Sequence, residues 1–201
     1  MSKRFRRAWS FAIALTAVVV AAAGCGRTVT AVDLDPILFA HEDAPIPGAI
    51  ELCLTRELRM RQWNVRNHPY VIELGDRAAL NVERLAKAAF ESVVVSFEEP
   101  CGQATDRPRL TARILAANRD ADSIWSRSQE TTITMDFELV SDDGAPIWST
   151  RTRGAISKAP SGLTRRKIRA AEDFGEAMQE ALDAAFVEIV QSQEIRRATA
   201  R

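Results

Sequence analysis

The sequence predicts an α+β fold, a two-layer sandwich in which two helices cover one face of a mostly antiparallel sheet of about five to six strands. Three observations predict it. Six short segments are typical of strands: three alternate apolar and polar residues as half-buried strands do, and the others are short runs rich in β-branched or aromatic residues or follow a turn sequence. Two longer segments repeat apolar residues every three or four positions, as amphipathic helices do. The order is two strands, a helix, four strands and a helix, which fits helices gathered on one face of a sheet.

The strands are predicted from alternation at the first, fourth and fifth segments and from short apolar runs or a preceding turn at the others. They are Ile50–Leu54, Tyr70–Leu74, Ser92–Glu98, Leu110–Ala116, Ile133–Leu139 and Ile147–Thr152. The fifth alternates most regularly along its whole length. Because Asp142-Asp143-Gly144 is a turn sequence, we expect the last two strands to form a hairpin.

The helices are predicted from their apolar faces. The first begins at Gly75-Asp76 and reaches about Glu91, with its apolar face at Ala79, Val82, Ala86, Ala89 and Phe90. The second extends over Ile168–Ile195, and its apolar face consists of Phe174, Met178, Leu182, Ala185, Phe186 and Ile189.

The first 24 residues have the three parts of an export signal. Met1–Arg7 is basic, Ala8–Ala23 is an apolar run of 16 residues, and small side chains precede Cys25. The run is shorter than the roughly 20 residues that span a bilayer. Ala22-Ala23-Gly24-Cys25 resembles the bacterial lipobox, in which a peptidase cuts before the cysteine and the thiol is diacylated. The alternatives are ordinary cleavage after Ala23 and an uncleaved membrane anchor.

The predicted organisation has four parts: a signal peptide (1–24), a tether (25–47), a single α+β domain (48–192) and a polar tail (193–201). The tether contains three prolines and little periodicity, which favours an extended linker lifting the domain off the membrane, with residues 37–39 docking on the domain. Gly26, rather than Asp, follows the cysteine. By analogy with enteric lipoproteins, this favours the outer membrane and exposure to the periplasm.

Charge disfavours one class of protein, and the distribution of apolar residues excludes another. The whole chain has 27 Lys and Arg against 27 Asp and Glu. Four of the basic residues belong to the signal, which leaves 23 against 27 in the mature chain. A mildly acidic body disfavours nucleic-acid binding. One long apolar run excludes a membrane protein with several spans.

Two cysteines, Cys53 and Cys101, remain once Cys25 carries lipid. An even number of thiols in an oxidising compartment predicts a disulfide bond between them. The alternative is that both are buried free cysteines acting as small apolar side chains.

Signatures of catalysis are scarce, and we expect no enzyme, no cofactor and no metal. The chain lacks a nucleophile elbow, a phosphate-binding glycine loop and a zinc-protease helix motif. Its only histidines, His41 and His68, stand apart from any paired ligand. The neighbouring carboxylates at 98–99 and 142–143 would point to opposite faces of a strand.

Two cationic groups are candidate binding residues. The first consists of Arg56, Arg59, Arg61 and Arg66 around Trp63. The second is Arg165-Arg166-Lys167, just before the last helix, where cations oppose the helix dipole. Arginine forks match phosphate and carboxylate, which favours anionic lipid headgroups or an acidic protein partner. The alternatives are that these charges are solvated or paired locally and that Trp63 covers an edge of the core.

The chain resembles small α+β lipoproteins of the Gram-negative envelope, among them auxiliary lipoproteins of ABC-type transport systems and the lipopolysaccharide-assembly lipoprotein. The resemblance rests on the lipobox, on Ile72-Glu73-Leu74-Gly75-Asp76 leading into a helix, and on the phrase from Asp142 to Ser149. It implies a non-catalytic accessory subunit in envelope biogenesis or transport, anchored by acyl chains and bound to a protein partner. The alternatives are a structural anchor of a large envelope complex and an enzyme with an unrecognised site.

Overall fold

In the described parts of the chain, two sheets and four helices build the domain. The computed structural model describes residues 28–31, 37, 39, 45–64, 70–97, 106–120, 129–159 and 166–200. The strands are β1 (Thr28–Ala31), β2 (Ile46–Cys53), β3 (Gln62–Asn64), β4 (Tyr70–Glu73), β5 (Phe90–Ser96), β6 (Arg109–Arg119), β7 (Gln129–Val140) and β8 (Pro146–Lys158). The helices are α1 (Arg56–Arg59), α2 (Gly75–Ala89), α3 (Arg166–Gln191) and α4 (Gln193–Thr199).

The main sheet has the strand order β5-β2-β6-β7-β8. Strand β2 pairs in parallel with both β5 and β6, while β7 is antiparallel to both of its neighbours. The predicted α+β class is confirmed, and the predicted hairpin of the last two strands is present. The main sheet is mixed rather than mostly antiparallel. The reason is that the connection from β2 to β5 includes helix α2, and such a crossover brings β5 back to pair with β2 in parallel.

Strand β4 belongs to a separate small sheet with the order β1-β4-β3. Strand β1 pairs in parallel with β4, from Thr28 opposite Tyr70 to Ala31 opposite Glu73. Strand β3 pairs with β4 antiparallel. The sequence predicted that Tyr70–Leu74 is a strand, but its pairing with β1, about 42 residues earlier in the chain, could not be read from its own residues.

The core lies between one face of the main sheet and helices α2 and α3. Every second side chain of β7 is buried, as the alternation predicted. Helix α3 packs on β7 and β8, and α2 packs on β5 and α3. Helix α3 comes very close to β8 at Gly154, where an added Cβ atom would lie 1.8 Å from the carbonyl oxygen of Ala177 in α3.

Part of the predicted tether packs on the domain. Besides forming β1, it contributes Ile37, which is buried and donates its backbone N–H to Asn81 Oδ1 at 3.0 Å. The ring of Phe39 lies 5.2 Å from that of Phe186 in α3. Docking at 37 and 39 therefore agrees with the prediction, and β1 is a strand that the sequence analysis did not predict.

The predicted polar tail contains helix α4. The Ser192 side chain caps it by accepting the backbone N–H of Ile195 at 3.3 Å, and Ile195 is fully buried. The end of α4 closes on β2 at Gly48, whose φ of 102° and contact with the Thr199 carbonyl leave no room for a side chain. One buried apolar residue and a cap hold this segment, although most of its residues are polar.

Among the residues described, no helix is both long enough and apolar enough to cross a membrane. The predicted signal peptide lies outside the described residues.

Candidate binding surface

Helix α1 presents the first predicted cationic group. The Thr55 hydroxyl caps this single turn by accepting the backbone N–H of Leu58 at 3.2 Å, and the buried Leu58 side chain fixes the turn on the core. With Leu58 inward, Arg56 is exposed and Arg59 is half-buried.

Arginine and apolar side chains are mixed around this turn. The guanidinium carbon of Arg59 lies 5.5 Å from the ring centroid of Phe97, which is 56% exposed. Met60 is 59% exposed. Arg61 Nη2 donates to the Leu115 carbonyl of β6 at 3.4 Å, and the Leu115 side chain is itself exposed. We call these five residues the arginine–apolar surface. This surface places two arginines, one of them over an aromatic ring, beside exposed apolar side chains. It therefore suits a partner with carboxylates and apolar side chains.

Trp63 faces away from solvent. It is half-buried, and its indole packs at 4.9 Å between ring centroids on Phe174 of α3. Its place at the edge of the core agrees with the alternative that the sequence left open, so Trp63 is not part of the arginine–apolar surface.

The second cationic group lies at the same end of the molecule as Trp63. Arg166 and Lys167 begin helix α3, and Phe174 follows Arg166 by eight residues, or about 12 Å along the helix axis. Their side chains, and all of Arg66 and Arg165, lie outside the described parts. Binding by these residues therefore stays a prediction.

The exposed face of the main sheet carries a charged ladder that the sequence analysis did not single out. Asp136 of β7 accepts from Arg113 Nη2 at 2.7 Å and lies 3.5 Å from Arg151 Nε. On the same face, Arg153 of β8 donates from Nη2 to Glu130 Oε1 of β7 at 2.9 Å. The signal was present, since these charges occupy the polar positions of the alternating strands.

A second ion-pair cluster is buried where β6 ends against α3. Arg119 Nη2 lies 2.8 Å from Asp173 Oδ2, and both side chains are 4% exposed. Lys158 Nζ lies 3.3 Å from Asp173 Oδ1 and donates a hydrogen bond to Glu176. The bond to Glu176 chiefly, with Asp173 adding to it, raises the pKa of Lys158 above its ordinary value against the opposing effect of burial. The cluster ties strands β6 and β8 to α3.

A groove of about 670 Å³ opens at the other end of the main sheet. Its walls are the chain before β6, the β7–β8 turn and α4, and it carries both signs of charge. Its charged side chains are Asp106, Arg107, Asp142, Glu194 and Arg197. The sequence did not indicate the groove, because one of its walls is α4, which lies in the predicted polar tail.

The described side chains show no arrangement of three or more metal-ligating groups. His41 and His68 lie outside the described parts, and so do residues 98–99. Asp143 serves the β7–β8 turn. It accepts from the Ser141 hydroxyl and, at 3.1 Å, from the backbone N–H of Ala145, and these bonds hold the pKa of its carboxyl below the usual value.

Cys53, at the end of β2, is buried and disulfide-bonded. Its partner lies outside the described residues, where the chain has Cys25 and Cys101. Cys53 stands opposite Ser96 of the neighbouring parallel strand β5, five residues before Cys101. This proximity favours Cys101, and the pairing stays a prediction.

No protein-family model matches the sequence, and neither does the sequence of any curated protein. Among solved structures, protein XCC0632 from Xanthomonas campestris, of family DUF330, superposes with a TM-score of 0.53. The two chains are 14% identical over 85% of this chain and 96% of that one. The likeness shows a shared fold.

Two lipoprotein structures are more distant. Lipoprotein GNA1162 from Neisseria meningitidis is 13% identical, with a TM-score of 0.35 over 62% of this chain and 94% of its own. A minor lipoprotein from Acinetobacter baumannii is 12% identical, with a TM-score of 0.39 over 75% of this chain and 94% of its own. We draw no argument from similarities at this level.

Proposed function

We propose that the protein is a lipid-anchored, non-catalytic binding subunit of the bacterial cell envelope, acting in envelope biogenesis or transport. The acyl chains on Cys25 hold it in the outer membrane, facing the periplasm. The observation that carries the binding role is the arginine–apolar surface, where Arg59 stacks over the exposed Phe97.

The chemistry of this surface favours a protein partner. Exposed Phe97, Met60 and Leu115 provide apolar area that binding would remove from water. Arg59 and Arg61 are held close to their final geometry by the Phe97 ring and by the Leu115 carbonyl, so little side-chain entropy remains to be lost. Arginine beside aromatic residues is typical of the central residues of protein interfaces.

The binding role is tested by reversing both charges, with Arg59→Glu and Arg61→Glu in one variant. We expect crosslinking and pull-down of the lipidated protein from native membranes to recover a partner with the wild type and to lose it with this variant. The matched control is Arg151→Glu with Arg153→Glu on the charged ladder, where the same charge change falls on side chains that are 66% and 61% exposed. Circular dichroism establishes that both variants fold. Equal recovery of the partner by all three proteins would remove the surface from the proposal, and loss of anionic lipid instead of protein would assign the surface to lipid.

The anchor is tested separately. Labelled palmitate should enter the wild type and not Cys25→Ser, and membrane fractionation should place the labelled protein in the outer membrane. Equal labelling of the two proteins would contradict the lipoprotein assignment, while recovery in the inner membrane would contradict only the location.

A further inference from the structure

The two ends of the domain are defined by strands β6 and β7. Their pairing runs from Arg109 opposite Val140 to Arg119 opposite Thr131, a length of about 33 Å for ten residue steps. At the Arg119 end, Asp173 pairs with Arg119, and the next residue of α3, Phe174, carries Trp63 of the small sheet. At the Arg109 end lie the β7–β8 turn and the groove. The small sheet and the groove are therefore at opposite ends.

Strand β1 connects the small sheet to the anchor. Thr28 begins β1, and only Gly26 and Arg27 separate it from Cys25. Three residue steps span at most about 11 Å, even in a fully extended chain. After β1 the chain is fixed again at Ile37 and Phe39, and it enters β2 at Ile46. Parts of the segment expected to lift the domain off the membrane are thus engaged on the domain, and only two residues lie between Cys25 and the first of them.

We propose that this short link holds the small sheet against the bilayer surface, so that the domain faces the membrane with its small-sheet end and directs the groove away from it. The inference rests on the proposed lipid anchor at Cys25. Lipid headgroups are the occupant because the link is too short for another protein to intervene at this edge. Leu115 of the arginine–apolar surface lies four residue steps, about 13 Å, from the Arg119 end of β6, which places this surface on the flank of the domain.

Two exposed positions report the orientation. Val71 of the central strand β4 pairs with Val29 of β1 on one side and with Asn64 of β3 on the other. Asn64 therefore lies about 10 Å from Val29 across the small sheet. Asp142 is exposed in the turn beside the groove. Each is changed to Cys, labelled with a fluorophore under non-reducing conditions, and reconstituted as the lipidated protein in vesicles that contain a headgroup spin-labelled phospholipid. We expect quenching to be several-fold stronger at position 64 than at position 142.

The matched control is the same pair of labels with 20 Gly and Ser residues inserted after Arg27. Such a linker has a root-mean-square length of about 25 Å, so the difference in quenching between the two labels should disappear. Palmitate labelling of each sample separates the two proposals. Absence of lipid on the wild type would refute the proposed function. Normal lipid attachment with equal quenching at 64 and 142, or stronger quenching at 142, would refute the orientation alone. The vesicles contain no other protein, so quenching at 64 cannot come from a partner.

Discussion

Replacing Asp173 with Asn tests whether burial makes the Arg119–Asp173 pair important for stability. The two side chains lie 2.8 Å apart and are both 4% exposed. Asn is nearly isosteric with Asp, so the change removes charge without opening a cavity. It leaves the Arg119 guanidinium buried without its carboxylate, and removing one partner of such a pair costs about 3–5 kcal/mol. For a chain of this size, that corresponds to a fall in melting temperature of roughly 6–20 °C.

A pair of similar distance but different burial provides the control. Arg113 and Asp136 lie 2.7 Å apart on the open face of the sheet, where the arginine side chain is 48% exposed. Exposed pairs contribute at most about 1 kcal/mol, because water screens them. Asp136→Asn should therefore change the free energy of unfolding by no more than that amount.

The assay is urea unfolding of the mature chain, with a double-mutant cycle for each pair. The variants are Asp173→Asn, Arg119→Met and their combination, beside Asp136→Asn, Arg113→Met and theirs. We expect a coupling energy of about 2–3 kcal/mol for the buried pair and below about 1 kcal/mol for the exposed one. Equal coupling energies would refute the argument that burial, rather than distance, sets the strength of these pairs.

Three further predictions concern the packing, the pH dependence and the disulfide bond. Gly154→Ala should cost about 2–3 kcal/mol of stability in urea, because its Cβ would overlap α3, whereas Gly144→Ala, in open space with a φ of 84°, should cost only about 1–2 kcal/mol of backbone strain. Because folding raises the pKa of Lys158, its charge contributes stability that is fully present below the unfolded pKa of 10.5 and is lost as pH rises through the folded pKa. In this alkaline range the unfolding free energy of Lys158→Met should therefore fall less than that of the wild type. A non-reducing peptide map should join Cys53 to Cys101, and reduction should cost roughly 4 kcal/mol for a loop of about 48 residues.

Each of these has an outcome that contradicts it. Equal losses for the two glycine variants would show that the sheet and α3 separate easily at residue 154. An unchanged alkaline slope in the Lys158 variant would remove that lysine from the pH dependence. A Cys53–Cys25 peptide would be the most consequential result, since a thiol in a disulfide bond cannot carry an acyl chain.

The sequence predicted the elements of this fold better than their arrangement. Alternation on β7 and the apolar face of α3 are local signals, because each comes from side chains a few residues apart on one element. The parallel pairing of β2 with β5 and β6 depends on contacts between residues about 40 to 60 positions apart in the chain. No local pattern carries that information, so the sheet was expected to be more antiparallel than it is.

The candidate site divides in the same way. The arginines around Trp63 were selected by residue type, and the structure places Arg59 and Arg61 beside apolar residues of other segments, Phe97 and Leu115. Trp63 itself turns to the core because Phe174 is there to receive its ring. The groove had no signal in composition, since α4 has a single fully buried apolar residue within a polar stretch.

By itself the sequence determined the α+β class, the periodic elements, the mildly acidic mature chain and the lipobox-like motif at Cys25, because each depends on residue type and short-range spacing. The tertiary structure decided that Thr28–Ala31 joins a second sheet, that Ile37 and Phe39 dock, and that the groove and the small sheet occupy opposite ends. The physical reason is that strand partners and helix contacts are chosen by burial and hydrogen bonding between remote segments. Those choices placed β1, Ile37 and Phe39 on the domain and put the small sheet and the groove at opposite ends.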